Sequence, residues 1–358
     1  MDINMKKLSR LALTGMSLAI VSSLLIGTQA LAKGEKYELV SKKLDAPITL
    51  EATNPAWKNA PGLKMVLSET PYKPNGFPGV TNTNIVLKSL HDKDSIYVYL
   101  QYEDPTASVA RFPWIKQEDG SWKQLHTKDQ TGHENNNYED KVAFLWDINT
   151  KGFAKKGCAI ACHTNKNGLV DGIPDMSAGR KYTRKEGQTI DMWHWKSVRT
   201  GLAFDLSHDQ YIDHMKNESK GWGRHGDDKL SGGYKNNITK DKKTPMYMSK
   251  NPKNTLTYLK DSDKISFVDT FKAGDMVPGI IVSKMSGSAA DIQTSSVYAD
   301  GKWTLVFKRA LITTGKNTKK QDVEFTDLSK GYYFGVAVFD NTQINHVYHD
   351  GSIRLLFK

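Results

Sequence analysis

Cysteine is nearly absent: the 358 residues include two, Cys158 and Cys162. That scarcity excludes a disulfide-stapled scaffold. Apolar runs long enough to span a bilayer are missing after the first thirty residues, so the remainder offers no helical membrane span. Strong helical periodicity, internal repeats and a linker separating two domains are also lacking. No nucleophile has a base beside it and no carboxylates are paired at a useful spacing, so nothing marks substrate turnover by this chain alone. The lysine runs "KDKK" and "KNTKK" read as solvated loops rather than nucleic-acid grooves.

What is present begins with a leader. Lys6, Lys7 and Arg10 form a positive start, Leu11 to Ile26 is apolar and uncharged, and "ALA" at Ala30 to Ala32 is a small-x-small cleavage signal. Residues 1–32 therefore read as a secretory signal peptide, removed before Lys33, and the mature chain is expected in the periplasm. Removing Lys6, Lys7, Arg10 and Asp2 takes the net charge from +11 to +9. A basic exported protein points to an acidic partner surface.

Residues 33–358 are read as one domain built mostly of strands. "SIYVYLQYED" (95–104) alternates Ile96, Val98, Leu100 and Tyr102 against Tyr97, Tyr99 and Gln101, and "KVAFLWDI" (141–148) is rich in β-branched and aromatic residues. "GKWTLVFKRAL" (301–311), "DVEFTDL" (322–328), "YYFGVAVFDN" (332–341) and "SIRLLFK" (352–358) follow as strands between Gly, Asp and Asn turns. Short strands with turn signals predict an antiparallel β-sandwich. Residues 207–264, rich in Lys, Asn, Asp and Gly, break the rhythm and read as a basic surface insertion, with "SHDQYIDHMKNES" as a short helix at its start.

The two cysteines lie in "GCAIACHTN" (157–165), a C-x-x-x-C-H one residue longer than the C-x-x-C-H of covalent haem attachment. Covalent haem, a Cys158–Cys162 disulfide and a metal site all stay open on the motif alone. Stapling has little to offer, because so short a loop removes little unfolded-state entropy. A six-coordinate haem needs a second axial ligand, His or Met. His91, His126, His133, His208, His214 and His225 sit in polar stretches and read as exposed. His194, His346 and His349 sit among apolar or aromatic residues. If "TIDMWHWKSVRTG" (189–201) is a strand, Met192 and His194 share one side while Trp193 and Trp195 take the other.

Several segments in order resemble the haem-binding domain of the ethylbenzene dehydrogenase gamma subunit and its dimethyl sulfide dehydrogenase counterpart. They are "LDAPITLEATNPAWKNAP" (44–61), "YEDKVAFLWDI" (138–148), "GCAIACHT" (157–164), "TIDMWHWKSVR" (189–199), "DGKWTLVFKRAL" (300–311) and "GVAVFDNTQINHVYHDG" (335–351). The resemblance implies a sandwich similar to carbohydrate-binding and DOMON-type cytochrome domains, with one haem at its rim. The gamma subunits bind haem b through Met and Lys or a similar pair. This chain differs in carrying cysteines and a histidine where that methionine is expected. The departure favours covalent haem c, with Cys158 and Cys162 as thioether anchors and His163 as proximal ligand. His346 is the expected distal ligand, with His194 or Met192 as alternatives and Trp193 and Trp195 as haem-edge contacts.

The function this implies is a periplasmic monohaem cytochrome exchanging electrons with a redox partner enzyme. Two alternatives are carried forward: a haem b subunit of a molybdenum enzyme complex, and a secreted carbohydrate-binding-like module without haem, with Cys158 and Cys162 joined.

Overall fold

The computed structural model describes residues 37–70, 79–128, 133–162, 169–170, 173–174, 181–215, 223–251 and 258–358. The leader and His163 lie outside the described residues. Eleven strands form the path of the main sheet: β1 (Tyr37–Lys43), β2 (Gly62–Leu67), β3 (Thr83–His91), β4 (Ser95–Glu103), β5 (Lys141–Asp147), β6 (Ile190–Lys196), β7 (Leu206–Ile212), β8 (Ile292–Ala299), β9 (Lys302–Ala310), β10 (Tyr332–Phe339) and β11 (Ile353–Phe357). Their spatial order is β1-β11-β10-β5-β6-β7-β8-β9-β4-β3-β2, with Arg224–Gly226 attached to β7 and Val347–Tyr348 to β10.

The fold is mainly β, as expected, and the sheet curls into a barrel-like sandwich. Closure comes from β1, which runs parallel to β11 through Tyr37 to Ser41 and then parallel to β3 through Ser41 to Lys43. These are parallel joins in a sheet whose other path pairings are antiparallel. β1 is thereby paired on both sides, while among the described residues β2 pairs only with β3 at the end of the path.

Alternation fills the interior. Val142, Phe144 and Trp146 of β5, Trp193 and Trp195 of β6, Phe334, Val336 and Val338 of β10, and Trp303, Leu305 and Phe307 of β9 form one core. The rings meet at offset or edge-on angles, with Trp146 and Phe334 centroids 4.4 Å apart, Trp146 and Trp193 5.0 Å, and Trp195 and Trp303 5.2 Å. Each such pair contributes about 0.5–1.5 kcal/mol beyond its buried area.

Two local expectations need correction. The helix expected from Ser207 is instead β7, in the middle of the sheet. Its alternation is concealed because the inward Asp209 is polar: it lies with Asp191 and Asp322 around the fully buried Arg309. "DVEFTDL" joins no sheet, although Asp322, Val323 and Phe325 are buried. Side chains take its backbone groups: Val323 N–H donates to Asp191 Oδ2 at 3.0 Å, and Val323 O accepts from Arg309 Nη2. The described part of the expected insertion is also more ordered than a loop, since Lys229–Asn236 pairs with Ile280–Gly287.

Candidate haem cradle

The outward face of β10-β5-β6-β7 is not a solvent face. Register sets its side chains in rows: Gly335, Leu145, Met192 and Gln210 in one, then Ala337, Ala143, His194 and His208 in the next, then Phe339, Lys141 and Lys196. Ala143, Leu145, Met192, Ala337 and Phe339 form a second apolar cluster with Phe153, Cys158, Ala161, Cys162, Ile190 and Ile212. The sheet between Phe339 and Cys158 is floored by two alanines, Ala143 and Ala337, and by Gly335, which lies under Cys158.

The cysteine turn lies over one end of this floor. Phe153–Lys156 makes a single helical turn, Gly157 takes φ 56°, and Cys158–Ile160 continues as a 3-10 turn closed by Cys162 N–H donating to Cys158 O at 2.9 Å. Gly157 also bridges to Gly351, and a Cβ there would collide with the Gly351 carbonyl. Glycine is thus required at 157 for both its φ and the close approach. Cys158 packs on Gly335, where an added Cβ would stand 3.5 Å from Cys158 Cβ. Both cysteines are buried free thiols, not a disulfide. Burial pushes both thiols up, so neither is a ready thiolate nucleophile.

At the centre stands His194. Its Nδ1 lies 2.9 Å from Gln210 Oε1, so this nitrogen carries the hydrogen and Nε2 keeps the lone pair. That Nε2 is buried and has no hydrogen-bond partner. Burial, then the charges of Lys196 and Lys141, hold the imidazole well below its usual pKa, so it is neutral at physiological pH. A neutral imidazole with one nitrogen fixed by an amide oxygen and the other bare is the arrangement of a metal-ligating histidine.

The far end is cationic. Lys196 Nζ lies 2.8 Å from His208 Nδ1, and Lys141 Nζ donates to Gln343 O at 2.8 Å while standing 4.2 Å from the Phe339 ring centre. Burial holds both lysines well below their usual range, and it lowers Arg224 as well, with Arg199 adding to each shift. Arg199 is paired with buried Glu139; burial pushes that carboxyl up, but the Arg199 and Arg111 charges outweigh it and hold Glu139 low. Several buried cations facing one carboxylate suit an anionic group.

The family model for ethylbenzene dehydrogenase matches residues 54–351, a span that takes in the whole cradle. The chain belongs to the ethylbenzene dehydrogenase family. No curated protein matches the sequence. Among solved structures, a family 9 carbohydrate-binding module from Caldicellulosiruptor kristjanssonii in complex with cellotriose aligns at 8% identity and TM-score 0.31, covering 90% of this chain and 94% of that one. The same organism's module in complex with glucose aligns at 9% identity and TM-score 0.32, covering 90% and 96%. Similarity at that level carries no argument about ligand.

In this ethylbenzene dehydrogenase family member, the expected site residues divide. Cys158, Cys162, Met192 and His194 converge on the cradle. His346 borders it: its ring lies 4.7 Å from Phe339, which also lies 6.1 Å from His194, and its Nδ1 rests 2.8 Å from Ile344 O. Trp193 and Trp195, expected at the haem edge, sit in the barrel core on the opposite face of β6, because alternation turns them away from Met192 and His194. His349 is committed elsewhere, its Nε2 accepting from Val336 N–H. Of the histidines expected to be exposed, His91 is buried beside Ser41 and Phe357, and His208 is half-buried in the cradle. Sequence reasoning missed Gln210, Lys141, Lys196 and Arg224. The alternation of β7 against β6 is the signal for Gln210, and the inward, polar Asp209 conceals it.

Proposed function

We propose that this family member is an exported electron-transfer protein holding one haem in the cradle, with His194 as an iron ligand and Cys158 and Cys162 as thioether anchors. The observation that carries this reading is the buried, partnerless Nε2 of a neutral His194. Bound haem would supply a one-electron iron couple. The chain's own residues do the rest. Gln210 fixes the His194 tautomer, and the small side chains of Ala143 and Ala337 flank it in the same row. Lys141, Lys196 and Arg224 would answer the negative charge of the haem's carboxylates. The apolar rows around Met192 and Phe339 would keep water from a bound iron, which with the ligand set would tune its potential.

His163, next to Cys162 in sequence, is the second ligand in this reading. His194 takes the place first given to His346, because its lone pair is buried and unspent. Family membership supports an electron-transfer role beside a catalytic oxidoreductase subunit, and the leader supports export to the periplasm. The basic surface favours an acidic docking face on that partner.

Haem c and haem b are separated by treating purified protein, expressed in a host with cytochrome c maturation, with acidic acetone. Thioether-bound haem stays with the polypeptide and raises its denatured mass by one haem. Haem that leaves with the solvent points instead to haem b on the same His194, and the absence of any haem rejects both.

A further inference from the structure

At one rim of the barrel, where β4, β5 and β10 end or begin, is a buried cluster of carboxylates. Asp104 follows β4, Asp140 precedes β5 and Asp340 follows β10, and one carboxylate oxygen from each lies within 4.8 Å of the other two. All three are buried. Backbone and side-chain donors serve them: Thr106 N to Asp104 Oδ1 at 3.0 Å, Val80 N and Thr106 Oγ1 to Asp340 at 3.0 and 3.4 Å, and Asn341 N, Ser108 N and Trp303 Nε1 to Asp140 at 2.9, 2.6 and 3.0 Å. None of these donors carries a charge. Among the described residues, no lysine, arginine or histidine pairs with the three carboxylates.

Two further oxygens are spare. Asp104 Oδ2 is buried without a partner. So is the hydroxyl of Tyr102, a core residue of β4 that is 1% exposed and whose phenol interacts electrostatically with Asp140, Asp104 and Asp340. The Tyr102 phenol stands across the register from Trp303, whose indole bonds Asp140, and feels all three carboxylates while bonded to none. The molecule answers its other buried trio differently: Arg309 reaches Asp191 at 2.7 Å and Asp209 and Asp322 at 3.9 Å. No such guanidinium serves Asp104, Asp140 and Asp340.

We infer that Asp104, Asp140 and Asp340 form a calcium site, with the Tyr102 hydroxyl facing the ion. An all-oxygen donor set without His or Cys selects a hard cation over zinc. Oxygens within 4.8 Å of one another can share one ion at calcium–oxygen distances of about 2.4 Å. The irregular mixture of buried carboxylates and a phenol suits calcium better than magnesium, which demands a tight octahedron and keeps its water. The site fastens the ends of β4, β5 and β10 at one rim of the barrel, immediately before Lys141 of the cradle and before the loop that leads to His346.

The test uses the full chain, freed of metal with a chelator and titrated with calcium by calorimetry, alongside terbium emission excited through tryptophan. Trp303, bonded to Asp140, is the expected antenna. One calcium should bind at least about tenfold more tightly than magnesium, and saturating calcium should raise the melting midpoint by roughly 5 °C. Asp104→Asn and Asp340→Asn should each lose the bound ion. Should either variant fail to fold, Trp303→Phe keeps the question open to measurement, since it should cut terbium emission while the calcium stoichiometry stays at one. The inference is overturned by wild type that binds no calcium, by magnesium binding equally well, by folded variants that keep full affinity, or by terbium emission that ignores Trp303.

Discussion

His349 shows what burial does to an imidazole that the fold has used. Its Nε2 accepts from Val336 N–H at 3.4 Å, which requires the neutral ring, and burial lowers its pKa to about 4. An unfolded histidine takes up its proton near pH 6.5. As pH falls from about 6.5 to about 4 the unfolded state therefore binds the proton first, and about 3 kcal/mol of stability is lost across that window, with no further loss from this group below it. Urea unfolding of wild type and His349→Gln should diverge across that range: the variant's midpoint should respond less to acid, and an identical pH response would reject the assignment. His194 is held neutral by the same burial but keeps its Nε2 unspent. The two histidines look alike in sequence, each flanked by aromatic or apolar neighbours. Only the partner across the sheet distinguishes them, Gln210 for one and the Val336 amide for the other, and those partners lie 16 and 13 residues away.

At the scale of the strand, alternation was legible where one face is wholly apolar and failed where charge points inward. The division of β6 into Met192 and His194 against Trp193 and Trp195 follows from its period of two. β7 was misread because Asp209 turns toward Arg309, so its inner face looks like a solvent face. The same concealment hid the cations of the cradle, since Lys141 and Lys196 sit at strand ends where lysine is ordinarily exposed. Their burial is costly in a chain without the anion they face, because a desolvated ammonium has little to repay it. Lys196→Met should therefore stabilise the haem-free chain by about 1–3 kcal/mol, read from denaturant midpoints, while weakening the hold on haem propionates. A variant less stable than wild type without haem would show that Lys196 serves the fold through His208 rather than a ligand.

Across the whole molecule, a closed barrel gives the chain one rigid wall with two uses: an aromatic core inside and a buried cradle outside. The sandwich class could be read from strands and turns, whereas closure through β1 could not, because its parallel pairings join residues more than forty positions apart, and β11 lies some three hundred residues away. The net charge, +11 for the full sequence and +9 without the leader, acts at this scale as well. Electron exchange with an acidic partner should slow as salt rises, because charges beyond a Debye length of about 8 Å at physiological ionic strength are screened. Stopped-flow rates independent of ionic strength would remove the electrostatic docking argument. The central claim, that a buried His194 ligates haem beside two anchoring cysteines, is tested most directly by the reduced and oxidised absorption spectra of wild type and His194→Ala expressed with cytochrome c maturation. Wild type should show a low-spin haem spectrum and the variant a high-spin one with haem still attached; a colourless wild type, or a variant whose spectrum is unchanged, would contradict ligation by His194.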